Sequence, residues 1–210
     1  MLTQIVKFEV KPESADEFKA ALIEDKKGAE TEAGLLEMKL FVDNKNPNIF
    51  FGYERWADQE ALDYHTKQAY TQKVVELVNT VVESVNVMDL GETNPAPLYE
   101  KNLNRANPED DVFIIFFIFK IKQGYREKLL KQFETHVTST RKEEQGNILF
   151  DLYTIDGQDD TLAVYEHWRK ESDVWDIHFN QPYAVETGKL MNEAVVGDLD
   201  QYMNFVTEIA

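Results

Sequence analysis

Hydrophobic and polar residues alternate along the first segment of the chain, Leu2 to Val10, where Gln4 is the one polar residue on the apolar side. Alternation with period two is typical of a half-buried β-strand. A helical apolar stripe follows as far as Gly34, and then come two strand-like runs joined by a polar turn. A helical stretch that is interrupted near Gln68 and a short strand complete the first half. The predicted order is strand, helix, strand, strand, helix, strand, which is the ferredoxin-like pattern.

The second half repeats this order, from an apolar strand at Val112 to Ile121 to a last strand at Asp200 to Thr207. Proline, asparagine and acidic residues between the halves predict a surface linker. We therefore predict an α+β fold with two tandem ferredoxin-like (βαββαβ) units. The predicted limits are residues 1–91 for the first unit, 92–111 for the linker and 112–210 for the second unit.

In such units the helices cover only one face of each sheet, so the other face needs a partner. The nearest partner is the sheet of the sibling unit. The pattern thus predicts an intrachain dimeric α+β barrel, which is an internal pseudo-dimer. A homodimer of the whole chain is also compatible with the sequence.

One motif occurs in both halves. In the first half, Tyr53-Glu54-Arg55-Trp56 is followed by His65 and Tyr70, nine and fourteen residues after the tryptophan. In the second half, the same succession has one inserted residue before the histidine. Its members are Tyr165, Glu166, His167, Trp168, His178 and Tyr183.

Strand alternation puts Glu54 and Trp56 on one face, and the same holds for Glu166 and Trp168. If this face points toward the helices, each unit has an aromatic-walled pocket with a carboxyl, an indole N–H, an imidazole and a phenol. Mostly apolar pockets with a few convergent polar groups suit small aromatic ligands. The pockets are expected to differ in size, because Trp175 and Phe179 beside His178 are bulkier than their counterparts in the first half.

Simpler interpretations stand beside these. The two tryptophans could be core residues, and the favoured interpretation of Glu54 and Glu166 is a structural hydrogen bond to a neighbouring group. Tyr70 and Tyr183 could only anchor the second helical piece. His136 and His167 lack counterparts in the first half, and we expect them to lie at the surface or to make local hydrogen bonds.

Composition excludes several classes of function. The net charge of −17 over 210 residues opposes binding to nucleic acid and to anionic membranes. The sequence has no cysteine, which removes thiolate chemistry. No metal-ligand spacing, phosphate loop or serine hydrolase motif is present, so no metal is expected. A secretion signal is also absent from the N-terminal residues, and we expect a cytoplasmic protein.

The Glu-x-Trp at the end of the third strand, followed by a helical histidine nine or ten residues later, resembles the antibiotic biosynthesis monooxygenase superfamily, including its quinol monooxygenases. The resemblance covers nearly all of the chain outside the linker. It implies a dimeric α+β barrel and oxygenation of a small quinol, phenolic or polycyclic aromatic substrate by O2, without a flavin or metal.

In that scheme, His65 and His178 are the candidate bases, since imidazole titrates near neutrality. Trp56 and Trp168 would form the pocket wall and donate one hydrogen bond, and these four residues are the catalytic candidates. The substrate-binding candidates are Glu54, Tyr70, Glu166 and Tyr183, and the tyrosines could steady a developing oxyanion.

Two departures from the family pattern are visible. Quinol enzymes often have a second histidine where this chain has Tyr70 and Tyr183. Haem-degrading relatives pair the tryptophan and histidine with an asparagine on the first strand, where this chain has Val6 and Phe117. Haem is therefore disfavoured, and no cofactor is expected. The alternative to an enzyme is a ligand-binding or stress-response module that keeps the pocket without turnover.

Overall fold

The structure is a computed structural model that describes residues 1–98 and 104–210. The described residues form two compact units. Unit 1 contains Met1–Leu90 together with Val206–Ala210, and unit 2 contains Gly91–Phe205. The predicted α+β class with two ferredoxin-like units is confirmed.

Unit 1 has a three-residue 3-10 turn and three helices beside its strands. Strand β1 pairs in antiparallel fashion with both β3 and β4, and β3 also pairs with β2. The bounds are β1 Leu2–Val10, the 3-10 turn Pro12–Ser14, α1 Ala15–Ala29, β2 Leu35–Asp43, β3 Ile49–Trp56, α2 Gln59–His65, α3 Ala69–Val81 and β4 Val82–Glu92, of which the last two residues belong to unit 2.

Unit 2 repeats the plan, with β7 as the strand that pairs in antiparallel fashion with both β5 and β6. Its second helical segment is irregular. The bounds are β5 Phe113–Lys120, α4 Arg126–Glu143, β6 Asn147–Ile155, β7 Gln158–Trp168, a π-helical turn Asp173–Ile177, a 3-10 turn His178–Asn180, α5 Pro182–Ala194, a 3-10 turn Leu199–Tyr202 and β8 Met203–Glu208.

In each unit the main core lies between the sheet and the helices. In unit 1, Phe18 of α1 packs edge-on against Phe8 of β1, with 5.1 Å between the ring centroids. In unit 2, Phe133 of α4 packs on Phe119 of β5. Burying one such ring contributes about 1.5–3 kcal/mol. These contacts fix the helices over the strand ends where the repeated motif lies.

Side chains on the opposite face of the sheet are buried as well. In unit 1, Phe41, Phe51 and Tyr53 alternate with the helix-facing residues and are all buried. Phe116 and Tyr165 of unit 2 are buried too, and their rings stack at 4.7 Å. Both faces of the central strands are therefore covered, which the barrel prediction requires.

The last residues of the chain complete the sheet of unit 1. Beyond Phe205, strand β8 pairs with the end of β2, so that Val206 lies opposite Asp43. The ladder continues past the strand, because the Ile209 N–H donates to the Leu40 carbonyl at 2.8 Å. The predicted second domain ends at residue 210, whereas compact unit 2 ends at Phe205 and Val206–Ala210 belong to unit 1.

The predicted linker, residues 92–111, does not begin outside the compact units, because unit 2 already starts at Gly91. Its first residues pack on unit 2, where the Thr93 hydroxyl donates to the Leu152 carbonyl at 2.8 Å. Five of its residues, 99–103, lie outside the described part of the chain. The helices within residues 1–98 and 104–210 are all too short or too polar to span a membrane.

Candidate functional site

The ends of β3 and β7 carry the same pair of side chains. The Trp56 indole N–H donates to Glu54 Oε2 at 3.0 Å, and the Trp168 indole N–H donates to Glu166 Oε2 at 2.7 Å. Both indoles are fully buried. The structural hydrogen bond that the sequence favoured for the two glutamates is confirmed. The predicted hydrogen bond from each tryptophan to a substrate would have to replace this bond, because the N–H is already donated to the carboxyl beside it.

Burial disfavours the charged form of both glutamates. Desolvation raises the pKa of Glu54 and of Glu166, and the indole hydrogen bonds and the neighbouring histidines only partly oppose it. These carboxyls thus take up a proton more readily than an exposed glutamate does.

The histidine of each unit lies under this tryptophan. The ring centroids are 4.5 Å apart for Trp56 and His65, and 4.6 Å apart for Trp168 and His178. Helix α2 starts at the predicted cap, where Asp58 Oδ1 accepts from the Ala61 N–H at 3.0 Å, and it ends at His65. The predicted break near Gln68 is present, since the next helix starts at Ala69.

The inserted residue of the second copy is absorbed by the π-helical turn Asp173–Ile177. A π turn holds one more residue than an α turn over about the same length. It therefore brings His178 to the position that His65 has in unit 1.

A glutamate that the sequence reading missed joins each histidine to its tyrosine. In unit 1, Glu32 Oε1 lies 2.8 Å from His65 Nδ1 and accepts from the Tyr70 hydroxyl at 2.6 Å. In unit 2, Glu144 Oε1 lies 2.9 Å from His178 Nδ1 and accepts from the Tyr183 hydroxyl at 2.9 Å. A carboxylate only accepts, so it holds a hydrogen on Nδ1 of each imidazole.

The tyrosines are held in this contact as neutral phenols. Desolvation and the hydrogen bond to Glu32 raise the pKa of Tyr70 to about 12. Desolvation and Glu144 raise the pKa of Tyr183 as well. Because each hydroxyl is donated to a glutamate, the predicted role of steadying an oxyanion requires that this bond be released.

The units differ at the second nitrogen of the histidine. In unit 1, Asp25 Oδ2 of α1 lies 3.5 Å from His65 Nε2. In unit 2, the corresponding place on α4 holds His136, whose Nε2 lies 3.3 Å from His178 Nε2. The two rings of that pair stack with centroids 4.9 Å apart.

The expectation of a surface position for His136 and His167 is corrected, because both residues are buried. In α4, His136 lies three residues after Phe133 on the helix face that packs on the sheet. The alternative expectation, a local hydrogen bond, describes His136 only in part, since its contact is with His178, 42 residues away.

These surroundings set the charge of the histidines. Burial opposes protonation of His65, but the hydrogen bonds to Asp25 and Glu32 outweigh it and raise the pKa of His65 to about 8. Burial and the neighbouring His178 lower the pKa of His136 to about 3. At neutral pH, His65 is thus an imidazolium between two carboxylates, whereas His136 is neutral.

We expect a pH-dependent contribution of His65 to stability. Its folded-state pKa of about 8 lies above the unfolded value of about 6.5. The contribution is therefore complete below pH ~6.5 and is lost as the pH rises toward ~8, with a size of at most about 2 kcal/mol. Asp25→Asn should lower the pKa of His65 in an NMR titration and flatten the pH dependence of urea unfolding. A wild-type His65 pKa at or below ~6.5 would contradict this assignment.

Each unit has a depression near its histidine, and the two differ. In unit 2, a cavity of about 100 Å³ lies between sheet and helices. In unit 1, an open groove of about 680 Å³ is lined by polar and small residues, with Glu32, Tyr64 and Tyr70 among them. The groove is not lined by Glu54, Trp56 or His65, so it is not the counterpart of the unit 2 cavity, and the expected difference in size between the two motif pockets stays a prediction. The unit 2 cavity is mostly apolar, and its lining includes Phe133, His136, Phe150, Glu166, His178 and Phe179.

The structure thus brings the predicted residues of each copy together around one histidine. It does not bring all of them to the cavity, since neither Trp168 nor Tyr183 lines it. Among the described residues, no three His, Asp or Glu side chains are grouped closely enough to hold a metal ion.

Comparison with known proteins supplies the family. The sequence profile of the family described as antibiotic biosynthesis monooxygenase matches residues 1–77 and 112–189, which is more than half of the chain. The chain belongs to the antibiotic biosynthesis monooxygenase family. Both matched segments contain the glutamate, tryptophan, histidine and tyrosine described above. No curated protein matches the sequence.

Solved structures share the fold of this family member over its whole length. A candidate monooxygenase from Fusobacterium nucleatum subsp. nucleatum ATCC 25586 has a TM-score of 0.78 at 15% identity, covering 100% of this chain and 92% of its own. A candidate monooxygenase from Lactobacillus acidophilus NCFM has a TM-score of 0.71 at 17% identity, covering 99% and 93%. An anthrone oxidase-like protein has a TM-score of 0.70 at 14% identity, covering 100% and 91%.

Proposed function

We propose that this protein is a cofactor-independent monooxygenase that oxidises a single-ring quinol or phenol in the cavity of unit 2. The observation that carries the proposal is this apolar, aromatic-walled cavity, into which a pair of imidazoles and a buried carboxyl converge. Apolar walls with few polar groups fit an aromatic ring with one or two hydroxyls. The family, and neighbours named as a monooxygenase and as anthrone oxidase-like, are compatible with this activity.

The size of the cavity favours a small substrate. At about 100 Å³ it is smaller than the ~150 Å³ cavity that holds benzene in an apolar protein core. One ring therefore fits after side chains shift, whereas a polycyclic ring system requires movement of the backbone. Phe179 lines the cavity and is 38% exposed, so its side chain is suited to open a path from solvent.

The reaction balances without a further reductant. A hydroquinone and O2 give a hydroxyquinone and water: one oxygen atom enters a ring C–H bond, and the other leaves as water. The substrate supplies all four electrons, two from the ring carbon and two from the quinol oxygens. The task of the protein is to remove a hydroxyl proton, because the resulting phenolate gives up an electron to O2 more readily than the phenol does.

Unit 2 is better suited to that task than unit 1. At neutral pH, His65 already carries a proton, because two carboxylates flank its ring. The equivalent nitrogen of His178 faces a neutral imidazole instead. We therefore assign the base to unit 2 and give His65 a structural role.

A bound cofactor is not part of the proposal. A porphyrin is several times larger than the unit 2 cavity, and the imidazole nitrogen that would ligate its iron is in contact with His136. The cytoplasmic location and the possible homodimer stay predictions.

Oxygen uptake with a panel of substrates tests the proposal. Purified protein should consume one O2 per hydroxyquinone formed from hydroquinone or methylhydroquinone, and ¹⁸O2 should label one oxygen of the product. A three-ring anthrone, which is too large for the cavity, should be oxidised at least ~10-fold more slowly. Background uptake with every substrate would leave a ligand-binding module as the remaining function.

A further inference from the structure

We propose that His136, rather than His178, meets the substrate hydroxyl in unit 2, and that the hydroxyl proton is passed through His136 to the His178–Glu144 pair. This inference rests on the proposed function and deepens it. It adds a substrate-contacting residue that the repeated motif does not contain.

The hydrogen-bond network fixes the tautomers of the two rings. Glu144 holds a hydrogen on Nδ1 of His178, so the Nε2 of neutral His178 is a bare acceptor. That atom lies 3.3 Å from His136 Nε2, which must then carry the hydrogen that the two rings share. Neutral His136 has one N–H only, and its Nδ1 is therefore a bare acceptor as well.

The Nδ1 atom of His136 is buried and has no hydrogen-bond partner among the described residues. Leaving a buried acceptor unpaired is unfavourable, so a ligand that donates a hydrogen bond to this atom gains affinity. The ring of His136 lines the cavity and is surrounded by Phe133, Phe150 and Tyr183. An aromatic ligand with a single hydroxyl can donate a hydrogen bond to this nitrogen, and the rest of its ring needs no polar group.

The proton transfer balances across the chain of groups. The substrate O–H bond breaks and a bond forms at His136 Nδ1, while the hydrogen on His136 Nε2 moves to His178 Nε2. The products are a phenolate, a neutral His136 in its other tautomer, and a His178 imidazolium whose Nδ1–H still donates to Glu144. The net charge of the set does not change, and no ion is left without a partner.

Three charged or titratable groups decide where the positive charge comes to rest. Glu144 faces His178 and stabilises its imidazolium. Burial raises the pKa of Glu166 beside the cavity and so favours its neutral form, which leaves this stabilisation to Glu144. In the described part of the chain no carboxylate forms a hydrogen bond or ion pair with His136, and its pKa of about 3 keeps it neutral. His136 is therefore suited to pass a proton on rather than to retain it.

Unit 1 supplies the internal comparison. Asp25 occupies the place of His136, and it lies against His65 as a carboxylate. It lines neither the unit 1 groove nor the unit 2 cavity. A carboxylate in that place pairs with an imidazolium but offers no second nitrogen, so the relay is a property of unit 2.

A pair of fluorinated probes tests the contact, and excluding O2 from the samples prevents turnover. 4-Fluorophenol has the hydroxyl donor and 4-fluoroanisole lacks it, and ¹⁹F NMR measures the Kd of each. The wild-type protein should bind the phenol at least ~10-fold more tightly. His136→Phe should remove this preference, whereas His136→Gln, which restores an acceptor, should recover part of it. The matched control is His167→Phe, because His167 is a buried histidine of the same unit outside the cavity lining.

The outcomes separate this inference from the proposed function. The inference is overturned if folded His136→Phe still prefers the phenol, or if the wild-type protein binds neither probe. Oxygen uptake tests the enzyme activity separately. If the preference for the hydroxyl depends on His136 but no oxygen is consumed, the contact is supported and the monooxygenase activity is contradicted. If His136→Phe does not fold, the ¹⁵N shift of His136 Nδ1 on adding 4-fluorophenol decides, and an unchanged shift overturns the inference.

Discussion

Replacing His178 by glutamine is expected to lower kcat/KM for hydroquinone oxidation by at least ~100-fold, mostly through kcat. Glutamine preserves much of the volume of the buried ring but cannot hold a positive charge against Glu144. The proton removed from the substrate then has no stable destination. Steady-state oxygen uptake over a range of quinol concentrations measures the effect.

The matched variant in unit 1 is His65→Gln, which should change kcat/KM by less than ~3-fold because His65 is already protonated at neutral pH. Circular dichroism of both variants controls for folding. Equal losses in the two variants would show that unit 1 takes part in the reaction and would overturn the assignment of the base to unit 2.

Replacing Arg141 by methionine is expected to destabilise the protein by about 3–5 kcal/mol. The Arg141 guanidinium donates to Asp151 Oδ1 at 2.5 Å and to the carbonyls of Phe150 and Ala96, both at 3.0 Å. Asp151 is almost fully buried. Removing the arginine leaves a carboxylate in the interior, where the remaining donors from residues 1–98 and 104–210 are the Tyr153 hydroxyl and the Leu98 N–H. Guanidinium chloride unfolding measures the loss.

The pH dependence of this loss has a definite sign. Burial already raises the pKa of Asp151 in spite of Arg141, and without the arginine the carboxyl is protonated more readily still. The destabilisation should therefore be smaller at low pH and grow as the pH rises. A second variant, Arg141→Met with Asp151→Leu, removes both charges and should cost less than Arg141→Met alone. A loss below ~1 kcal/mol in the single variant would contradict the role given to this pair.

The repeat made most of the fold and part of the site predictable. Alternation and turn residues fixed the order of strands and helices, and the paired motifs located Glu54, Trp56, His65 and Tyr70 with their counterparts. Glu32 and Glu144 could have been found in the same way, since each lies two residues before a glycine that the repeat pairs, Gly34 or Gly146. They were missed because an isolated glutamate near a helix end is commonly a surface residue.

Other features cannot be identified from a single sequence. Asp25 and His136 occupy corresponding places but are different residues, so a search for identity between the halves passes over them. The π turn before His178 is visible in the sequence only as one extra residue, which a loop could equally absorb. The pairing of the last strand, β8, with β2 is a long-range contact, and local periodicity does not predict such contacts.

The crossing of Val206–Ala210 into unit 1 affects the order in which the protein can mature during translation. Residues 1–90 leave the ribosome long before the segment that pairs with β2. The edge of β2 therefore stays unpaired by that segment while more than a hundred further residues are synthesised. Unpaired strand edges invite pairing with other chains. Nascent chains on neighbouring ribosomes are thus most exposed to mutual association in the interval before the second unit has emerged.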